Sequence, residues 1–335
     1  MKITIYDVAE KAGVSIATVS KVINNTGRIS DKTRKKVWSI MEELDYQPSA
    51  VASALSGKST FTIGLTLPDL ANPYFAEIAR AIEDQGRKHG FNVFMCSTDN
   101  DASKEEEYYQ LFMKKRVDGI IMVSRDKENV IVKKILNEKV PLVMIAREFF
   151  AVPVTSVMVD DYYGGMQAGQ HLLEQGHQRI AVIVENLTEL GSKERLRGAS
   201  DAAKEADIAI PESYVIEGGY TLDSGKAAMK QLLMLEQRPT AVFACNDILA
   251  IGAIQAVRES GLRVPEDISI VGYDNTILAT IVDPPLTTVA QPIKEIGERA
   301  VALLVEQIQS KESLRQRVVL MPDLVVRQST CAIDL

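Results

Sequence analysis

Apolar residues near the N-terminus recur at helical spacing in three short segments. The first segment begins at Thr4 and ends at Gly13, and its inner positions are Val8 and Ala12. Thr4 followed by Asp7 is a pattern that caps the start of a helix, and Gly13 accepts the left-handed backbone that often ends one. The spacing therefore predicts a short helix that stops at a tight turn.

A second short helix is predicted directly after this turn, with Ser15 able to cap its first turn. Its inner positions are Val19, Val22 and Ile23. Its outer positions, most of them small, polar or basic, are Ile16, Ala17, Ser20, Lys21 and Asn24. A short helix with one buried face and such an outer face is suited to the major groove of DNA.

Residues 31–44 form the third helical segment, with Ser30 as its cap. The positions with core spacing are Val37, Ile40, Met41 and Leu44. Trp38 is expected to complete this core. Three helices within residues 1–46 bury little apolar surface, so we predict a small DNA-binding domain of marginal stability.

Residues 47–59 separate this domain from the rest of the chain. Pro48 can begin a helix and Gly57 can end it, and between them Val51 and Leu55 lie on one face. One interpretation is a flexible linker. The other is a segment that folds on DNA and inserts Leu55 into the minor groove as an apolar wedge. The residues alone are consistent with both.

From Phe61 onward, apolar strands alternate with amphipathic helices. The predicted strands are 62–67, 92–97, 119–123, 142–146, 157–160, 180–184, 214–217, 241–244, 268–272, 287–290 and 318–326. Such alternation predicts an α/β fold with parallel sheets in two similar lobes. The predicted effector and dimerisation domain is 60–335, with lobes near 60–160 plus 291–318 and 161–288 plus 319–330.

Charge is distributed unevenly along the chain. The formal net charge is -7, yet residues 1–60 contain nine bases and six acids, so the excess of acids lies in the remainder. An acidic body with a basic N-terminal end indicates that only the end meets phosphate. Without a signal peptide or an apolar run of about 18 residues, a cytoplasmic, non-membrane protein is expected. The cysteines, at positions 96, 245 and 331, are too widely spaced to suggest a disulfide set or metal site.

Polar residues follow many of the predicted strands, where parallel sheets place their ligand sites. They are Asp69, Asn72, Arg147, Asp160, Tyr220, Asn246, Asp247, Asp274 and Asn275. We interpret Asp247 and Asn275 as helix caps, whereas groups converging on a cleft between the lobes suit a small polar ligand. No catalytic, dinucleotide or metal-binding motif is present, so neither an enzyme nor a cofactor is expected.

These residues resemble the LacI/GalR family of bacterial transcription regulators over essentially the whole chain. The matching segments are Ile5–Asn24, Tyr46-Gln-Pro48 with Ala52 and Leu55, Asp69 with Asn72–Phe75, Gly176-His177, Arg195 with Gly198, Asn246-Asp247, Gly272–Asp274 and Pro285–Thr288. The resemblance implies a homodimer that binds a double-stranded, pseudo-palindromic operator, with a core similar to periplasmic binding proteins.

The resemblance also implies two sets of binding residues. The DNA-binding set is Thr4, Ser15, Ile16, Ala17, Thr18, Ser20, Lys21, Asn24 and Leu55, in which positions 16 and 17 select bases and position 21 contacts a guanine. The effector-binding set is Asp69, Tyr74, Phe75, Arg147, Asp160, Arg195, Tyr220, Asn246 and Asp274. The expected effector is a sugar or sugar phosphate, and the expected activity is repression.

Three positions depart from the family pattern. Lys21 replaces the usual arginine, so a planar fork becomes a point charge. Ser49-Ala50 replaces the usual Asn-Arg of the linker, and Ala146 stands where an aspartate is common. One alternative is a catabolite-control regulator with a phosphorylated carrier protein as corepressor. A solute-binding protein is a weaker alternative, because the N-terminal domain argues against it.

Overall fold

A computed structural model of the protein describes residues 3–23, 27–46, 59–123, 130–145, 154–310 and 315–333. The chain divides into two units, residues 1–60 and 61–335. The described helices of the first unit are α1 (Ile5–Ala12), α2 (Ile16–Ile23) and α3 (Asp31–Glu43). Among the residues described in either unit, no helix combines the length and apolarity needed to cross a membrane.

The small core of the first unit is built from the inner faces of its described helices, α1, α2 and α3. Its buried members are Val8, Ala9, Ala12, Val19, Val22, Val37, Ile40 and Met41. Gly13 has a φ of 63°, which confirms the predicted left-handed stop after α1. Trp38 is 43% exposed, so its predicted place in the core is wrong. At about 100° per residue, position 38 lies well away from the stripe through 37, 40, 41 and 44.

The described residues of the second unit form two six-stranded sheets, each at the centre of one lobe. The strands of the first lobe are β1 (Thr62–Leu67), β2 (Asn92–Ser97), β3 (Gly119–Met122), β4 (Leu142–Ile145), β5 (Thr155–Val159) and β11 (Arg317–Leu320). Their order in the sheet is β11-β5-β4-β3-β1-β2. Its described helices are α4 (Pro73–Lys88), α5 (Ala102–Lys115), α6 (Val130–Asn137) and α12 (Ile293–Ser310). All pairings in this sheet are parallel.

The strands of the second lobe are β6 (Ile180–Val184), β7 (Val215–Glu217), β8 (Ala241–Ala244), β9 (Ser269–Asp274), β10 (Thr287–Ala290) and β12 (Asp323–Val325). Their order in the sheet is β12-β10-β9-β8-β6-β7. Its helices are α7 (Asp161–Glu174), α8 (Leu190–Glu205), α9 (Leu222–Leu233), α10 (Asp247–Glu259) and α11 (Ile277–Ile281), with a 3₁₀ turn at Glu212–Tyr214. Apolar clusters cover both faces of each sheet, which explains the continuous apolar strands of the sequence. The predicted two-lobed α/β fold is confirmed.

The strand predicted over residues 318–326 is wrong as a single element. It is divided at Met321-Pro322 into β11, which pairs in parallel with β5, and β12, which pairs antiparallel with β10. Proline has no N–H for a continuing ladder, and the two halves belong to different sheets. The chain therefore crosses between the lobes after β5, after β10 and between β11 and β12.

Helices α7 and α8 of the second lobe pack with their backbones in close contact. A Cβ atom at Gly165 would lie 2.0 Å from the carbonyl oxygen of Arg195, and one at Gly198 would lie 2.0 Å from that of Tyr162. These distances are below any van der Waals contact, so glycine is needed at both positions. The contact brings the first turn of α7 beside Arg195 on α8.

We expect Gly198→Ala to lower the melting temperature, because the new methyl group must push α7 and α8 apart. Overpacking typically costs about 1–3 kcal/mol, whereas glycine to alanine in an unobstructed helix gains about 1 kcal/mol. Thermal unfolding followed by circular dichroism checks the sign. A raised melting temperature would show that the two helices do not meet at this position.

Candidate nucleic-acid interface and ligand cleft

The outer face of α2 is the solvent-exposed surface of its helix. Ile16 is 40% exposed, and Ala17 and Lys21 are also exposed, while Val19 and Val22 are buried. Thr18 and Ser20 are half-buried at the edges of this face. An exposed, branched apolar side chain beside an alanine and a lysine can contact thymine methyl groups and base-edge acceptors.

Polar side chains fix the turns on either side of this helix pair. The backbone N–H and the hydroxyl of Thr4 both donate to the Asp7 carboxylate at 2.7 Å, and these bonds lower the pKa of Asp7. Ser15 Oγ accepts the Thr18 amide at 3.1 Å, so its predicted capping role is confirmed. Two further residues of the predicted DNA-binding set, Asn24 and Leu55, lie outside the described residues.

A polar cavity of about 120 Å³ lies between the two lobes of the second unit. Its polar lining residues are Asn72, Tyr74, Asp161, Glu185, Glu189, Ser192, Arg195, Tyr220, Asn246, Asp274 and Gln291. Its remaining walls are Phe75, Val123, Ile145, Val159, Leu190 and Gly191. A mixture of hydrogen-bonding groups and apolar or aromatic walls is typical of a site for a small polar molecule.

Arg195 lies at the centre of a charge network in this cavity. Its Nε donates to Asp161 Oδ1 at 2.7 Å, and its Nη1 donates to Glu185 Oε1 at 3.2 Å and to the carbonyl oxygen of Cys245. The guanidinium also stacks 3.8 Å above the ring of Tyr273. Burial by itself would lower the pKa of Arg195, but the charges of Asp161 and Glu185 outweigh it and raise that pKa.

Glu185 connects three elements of the second lobe. It follows β6 directly, and its Oε2 accepts the hydroxyl of Ser192 on α8 at 2.6 Å. Its Oε1 accepts the amide of Asn246 at 3.2 Å in addition to Arg195. Asn246 in turn caps α10 by accepting the Leu249 amide at 2.7 Å. Both oxygens of the carboxylate therefore have hydrogen-bond partners inside the protein.

A chain of hydrogen bonds crosses the cleft from one lobe to the other. Tyr74, in the first turn of α4, donates its hydroxyl to Gln291 Oε1 at 3.0 Å. Gln291, which follows β10, donates through Nε2 to Asp274 Oδ1 at 2.7 Å. Asp274 ends β9 and is 6% exposed. The link joins the two lobes across the cavity.

Asp247 and Asn275 do not cap helices, so that prediction is wrong. The cap of α10 is Asn246, and buried Asp247 instead accepts the Thr276 amide at 2.7 Å and the Thr288 hydroxyl at 2.6 Å. Burial raises the pKa of Asp247 to about 6. Asn275 Oδ1 accepts a guanidinium N–H of Arg327 at 2.6 Å. Both side chains therefore bind partners that are distant in the sequence instead of capping a helix.

The structure places most of the predicted effector residues together. Those lining the cavity are Tyr74, Phe75, Arg195, Tyr220, Asn246 and Asp274. Asp69 is exposed and accepts the Ala71 amide, whereas Asp160 caps α7 by accepting the Tyr163 amide; neither lines this cavity. Arg147 lies outside the described residues.

Several lining residues were missed from the sequence. Glu185 and Gln291 directly follow β6 and β10. The rule that ligand-binding residues follow the strands of a parallel sheet, which predicted Asn246 and Asp274, therefore also applies to them. The sequence pattern predicted Asp160 as a cleft residue instead of Asp161, which follows it. Asp160 caps α7, whereas the side chain of Asp161 pairs with Arg195 in the cavity. Ser192 carries no local signal. Among the described residues, no group of His, Cys, Asp or Glu is placed to hold a metal ion.

Comparison with known proteins identifies the class of this molecule. A family model for bacterial regulatory proteins of the lacI family matches residues 4–49, and one for a periplasmic binding protein-like domain matches residues 170–330. The HTH-type transcriptional regulator DegA of Bacillus subtilis (strain 168) is 46% identical over 338 residues, which cover 100% of both chains. Catabolite control protein A of Priestia megaterium is 38% identical, covering 98% of this chain and 100% of its own.

A solved structure supports the same class. The crystal structure of the lac repressor dimer bound to operator and the anti-inducer ONPF aligns with a TM-score of 0.89 and 32% identity, covering 99% of this chain and 100% of that one. The chain therefore belongs to the LacI family of bacterial regulatory proteins. It is a transcriptional regulator of this family and not an enzyme.

We expect Arg195→Gln to destabilise the second lobe strongly. The change leaves the largely buried carboxylates of Asp161 and Glu185 without their cation, and breaking a fully buried pair typically costs about 3–5 kcal/mol, which is the upper bound here. Arg197→Gln is the matched control, because Arg197 is 59% exposed and pairs with Glu194 at the surface. Chemical denaturation of both variants checks this difference. Equal stability of the two variants would contradict the structural role of Arg195.

Proposed function

We propose that this regulator binds a pseudo-palindromic operator as a dimer and represses transcription, with a small, sugar-like effector in the cleft as its signal. The observation that carries the proposal is the exposed outer face of α2, where Ile16, Ala17 and Lys21 face solvent from a helix held by a buried inner face. A dimer bound across a promoter in the cytoplasm excludes RNA polymerase. The similarity to the lac repressor supports this direction.

Each residue of the interface has a distinct part in the proposal. Ile16 and Ala17 select bases through apolar contacts, and Lys21 contacts a guanine as a point charge. Thr18 and Ser20, at the edges of the outer face, contact phosphate and hold the helix in register. The capping residues Thr4 and Ser15 also contact phosphate. Asn24 and the wedge Leu55 complete the interface on the strength of the family resemblance.

The dimer is supported by an exposed apolar surface on the second lobe. Ile277 and Ile281 are 59% and 70% exposed, and they lie one turn apart on the same side of α11. Adjacent exposed isoleucines are typical of a surface that another protein covers. We propose that α11 packs against the partner subunit, so that two α2 helices reach two half-sites.

The cleft is proposed to bind a polyhydroxylated molecule. Arg195, Asn246, Asp274 and Gln291 provide donors and acceptors at one wall, and Tyr74 provides an aromatic surface. Because Gln291 links Tyr74 to Asp274 across the cleft, a ligand that competes for these bonds changes how the lobes are joined. Effector binding therefore favours one arrangement of the lobes over another.

We expect exchange of the two reading residues, Ile16→Ala with Ala17→Ile, to change which operator is preferred. The exchange moves the branched side chain by one position along α2 without altering charge, so phosphate contacts and salt dependence are retained. Selection from a randomised operator library, followed by sequencing, checks the result. Ser39→Ala on the exposed face of α3 is the control. An unchanged sequence profile would remove base selection from these positions.

We expect Ile281→Glu to convert the dimer into a folded monomer with more than tenfold weaker operator binding. A charge at this position cannot be buried against a partner, but it is harmless on a surface that is already exposed. Analytical ultracentrifugation and fluorescence anisotropy with labelled operator check both effects. Met234→Glu is the control, since Met234 is 78% exposed and lies outside α11. A dimeric Ile281→Glu variant would place the interface elsewhere.

A second candidate is regulation by a phosphorylated phosphocarrier protein as corepressor. Similarity to catabolite control protein A over 98% of the chain supports it. The polar cavity favours the small-molecule signal. Operator affinity measured with and without the phosphorylated carrier protein distinguishes the two, because only a corepressor raises it.

A further inference from the structure

A short turn connects the cavity between the lobes with the exposed helix α11. Asp274, which lines the cavity, ends β9, and α11 begins at Ile277, with Asn275 and Thr276 between them. Ile277 and Ile281 of α11 are the exposed isoleucines through which the dimer is proposed to form. The chain therefore passes directly from the cavity to the proposed subunit contact.

The backbone of this turn adopts a conformation that is uncommon for residues with side chains. Asp274 has a φ of 111° and Asn275 has a φ of 58°, so two consecutive residues lie in the region that favours glycine. Such a backbone persists only when the surrounding structure holds it, and it is often found where a protein contacts a ligand. The residues that hold this turn are therefore candidates for a functional role.

Asp247 of α10 holds the end of the turn next to α11. Its Oδ2 accepts the backbone N–H of Thr276 at 2.7 Å and the hydroxyl of the same residue at 3.0 Å. Its Oδ1 accepts the hydroxyl of Thr288 on β10 at 2.6 Å. All three residues are buried, so these bonds are shielded from water. We call the bonds between Asp247 and Thr276 the helix-side contact.

Gln291 holds the other end of the turn, inside the cavity. Its Nε2 donates to Asp274 Oδ1 at 2.7 Å, and its Oε1 accepts the hydroxyl of Tyr74 at 3.0 Å. We call the bond between Gln291 and Asp274 the cavity-side contact. Between the two ends, Arg327 Nη2 donates to Asn275 Oδ1 at 2.6 Å. The strained turn is thus held from both sides.

We propose that the turn 274–276 transmits the state of the cavity to α11, and that Asp247 is a positioning residue in this transmission. The inference rests on the proposed function, in which the cavity binds the effector and α11 contacts the partner subunit. Both contacts are needed to hold the strain, so a ligand that takes the bonds of Gln291 lets the turn relax and loosens the start of α11. Effector binding then weakens the dimer, and by linkage dimerisation weakens effector binding by the same factor.

Variants that release one contact at a time test this proposal in the full chain without a ligand. Gln291→Met keeps a buried side chain of similar volume but loses the bonds to Asp274 and Tyr74. We expect hydrogen exchange at the α11 amides to accelerate and the dimer to weaken, each by roughly fivefold or more, which is the lower end of typical coupling between sites. Mass spectrometry of the exchange and analytical ultracentrifugation check the two effects. Tyr74→Phe is the matched control, because it removes the bond across the cleft but leaves the cavity-side contact in place.

Asp247→Ala removes the helix-side contact together with the bond to Thr288. We expect the same loosening of α11, and the double variant with methionine at position 291 should add less than about twofold, because the strain is released only once. Asp247→Asn should restore the behaviour of the unmodified chain, since an amide can accept from Thr276 and donate to the hydroxyl oxygen of Thr288. Asp267→Ala is the control, because Asp267 bonds to Arg263 near the start of β9, whereas the turn follows its end. Thr288→Val, which removes one of the bonds, takes its place if Asp247→Ala does not fold.

The outcomes separate this inference from the proposed dimer surface. Equal responses of α11 to Gln291→Met and Tyr74→Phe, or no response to either, overturn transmission through the turn. Additive effects of Gln291→Met and Asp247→Ala overturn the role of Asp247, because a residue that only stabilises the lobe acts independently of the cavity. Faster exchange at α11 with an unchanged dimer supports transmission through the turn and overturns α11 as the subunit contact.

Discussion

The buried ion pairs of Arg195 are the interaction on which the second lobe and its side of the cleft depend. The guanidinium joins Asp161 at the start of α7, Glu185 at the end of β6 and the carbonyl of Cys245 after β8. A buried charge is tolerated only when it is paired and hydrogen-bonded, so these elements must meet at one point. The glycine contact between α7 and α8 permits that meeting by removing the side chains that would separate the helices.

The same pairing sets the chemistry of the cavity. Arg195 is paired with two carboxylates of its own lobe, so its charge is compensated by groups within that lobe. Asp274 is connected through Gln291 to Tyr74 in the other lobe. The side chain of Gln291 therefore joins the polar groups of the second lobe to the first lobe.

The DNA-binding unit follows a different physical logic. Its core consists of a few small and branched side chains. Its outer surface carries an exposed isoleucine, whereas a basic side chain there would bind phosphate more strongly. Affinity from one such unit is expected to be modest. The proposed dimer supplies two copies of this unit without any additional contact within one unit.

The sequence by itself determined the helix pair and its outward face, the alternation of strands and helices, and the polar residues that follow strands. These properties depend on local spacing, caps and periodicity, which are readable one segment at a time. Tertiary structure decided that Asp161, and not Asp160, lines the cavity, and which residues bind to Asp247 and Asn275. It also decided how the last predicted strand is divided between two sheets. Those outcomes depend on partners distant in the sequence, because buried charges and unpaired strand edges are satisfied by whatever the fold brings beside them.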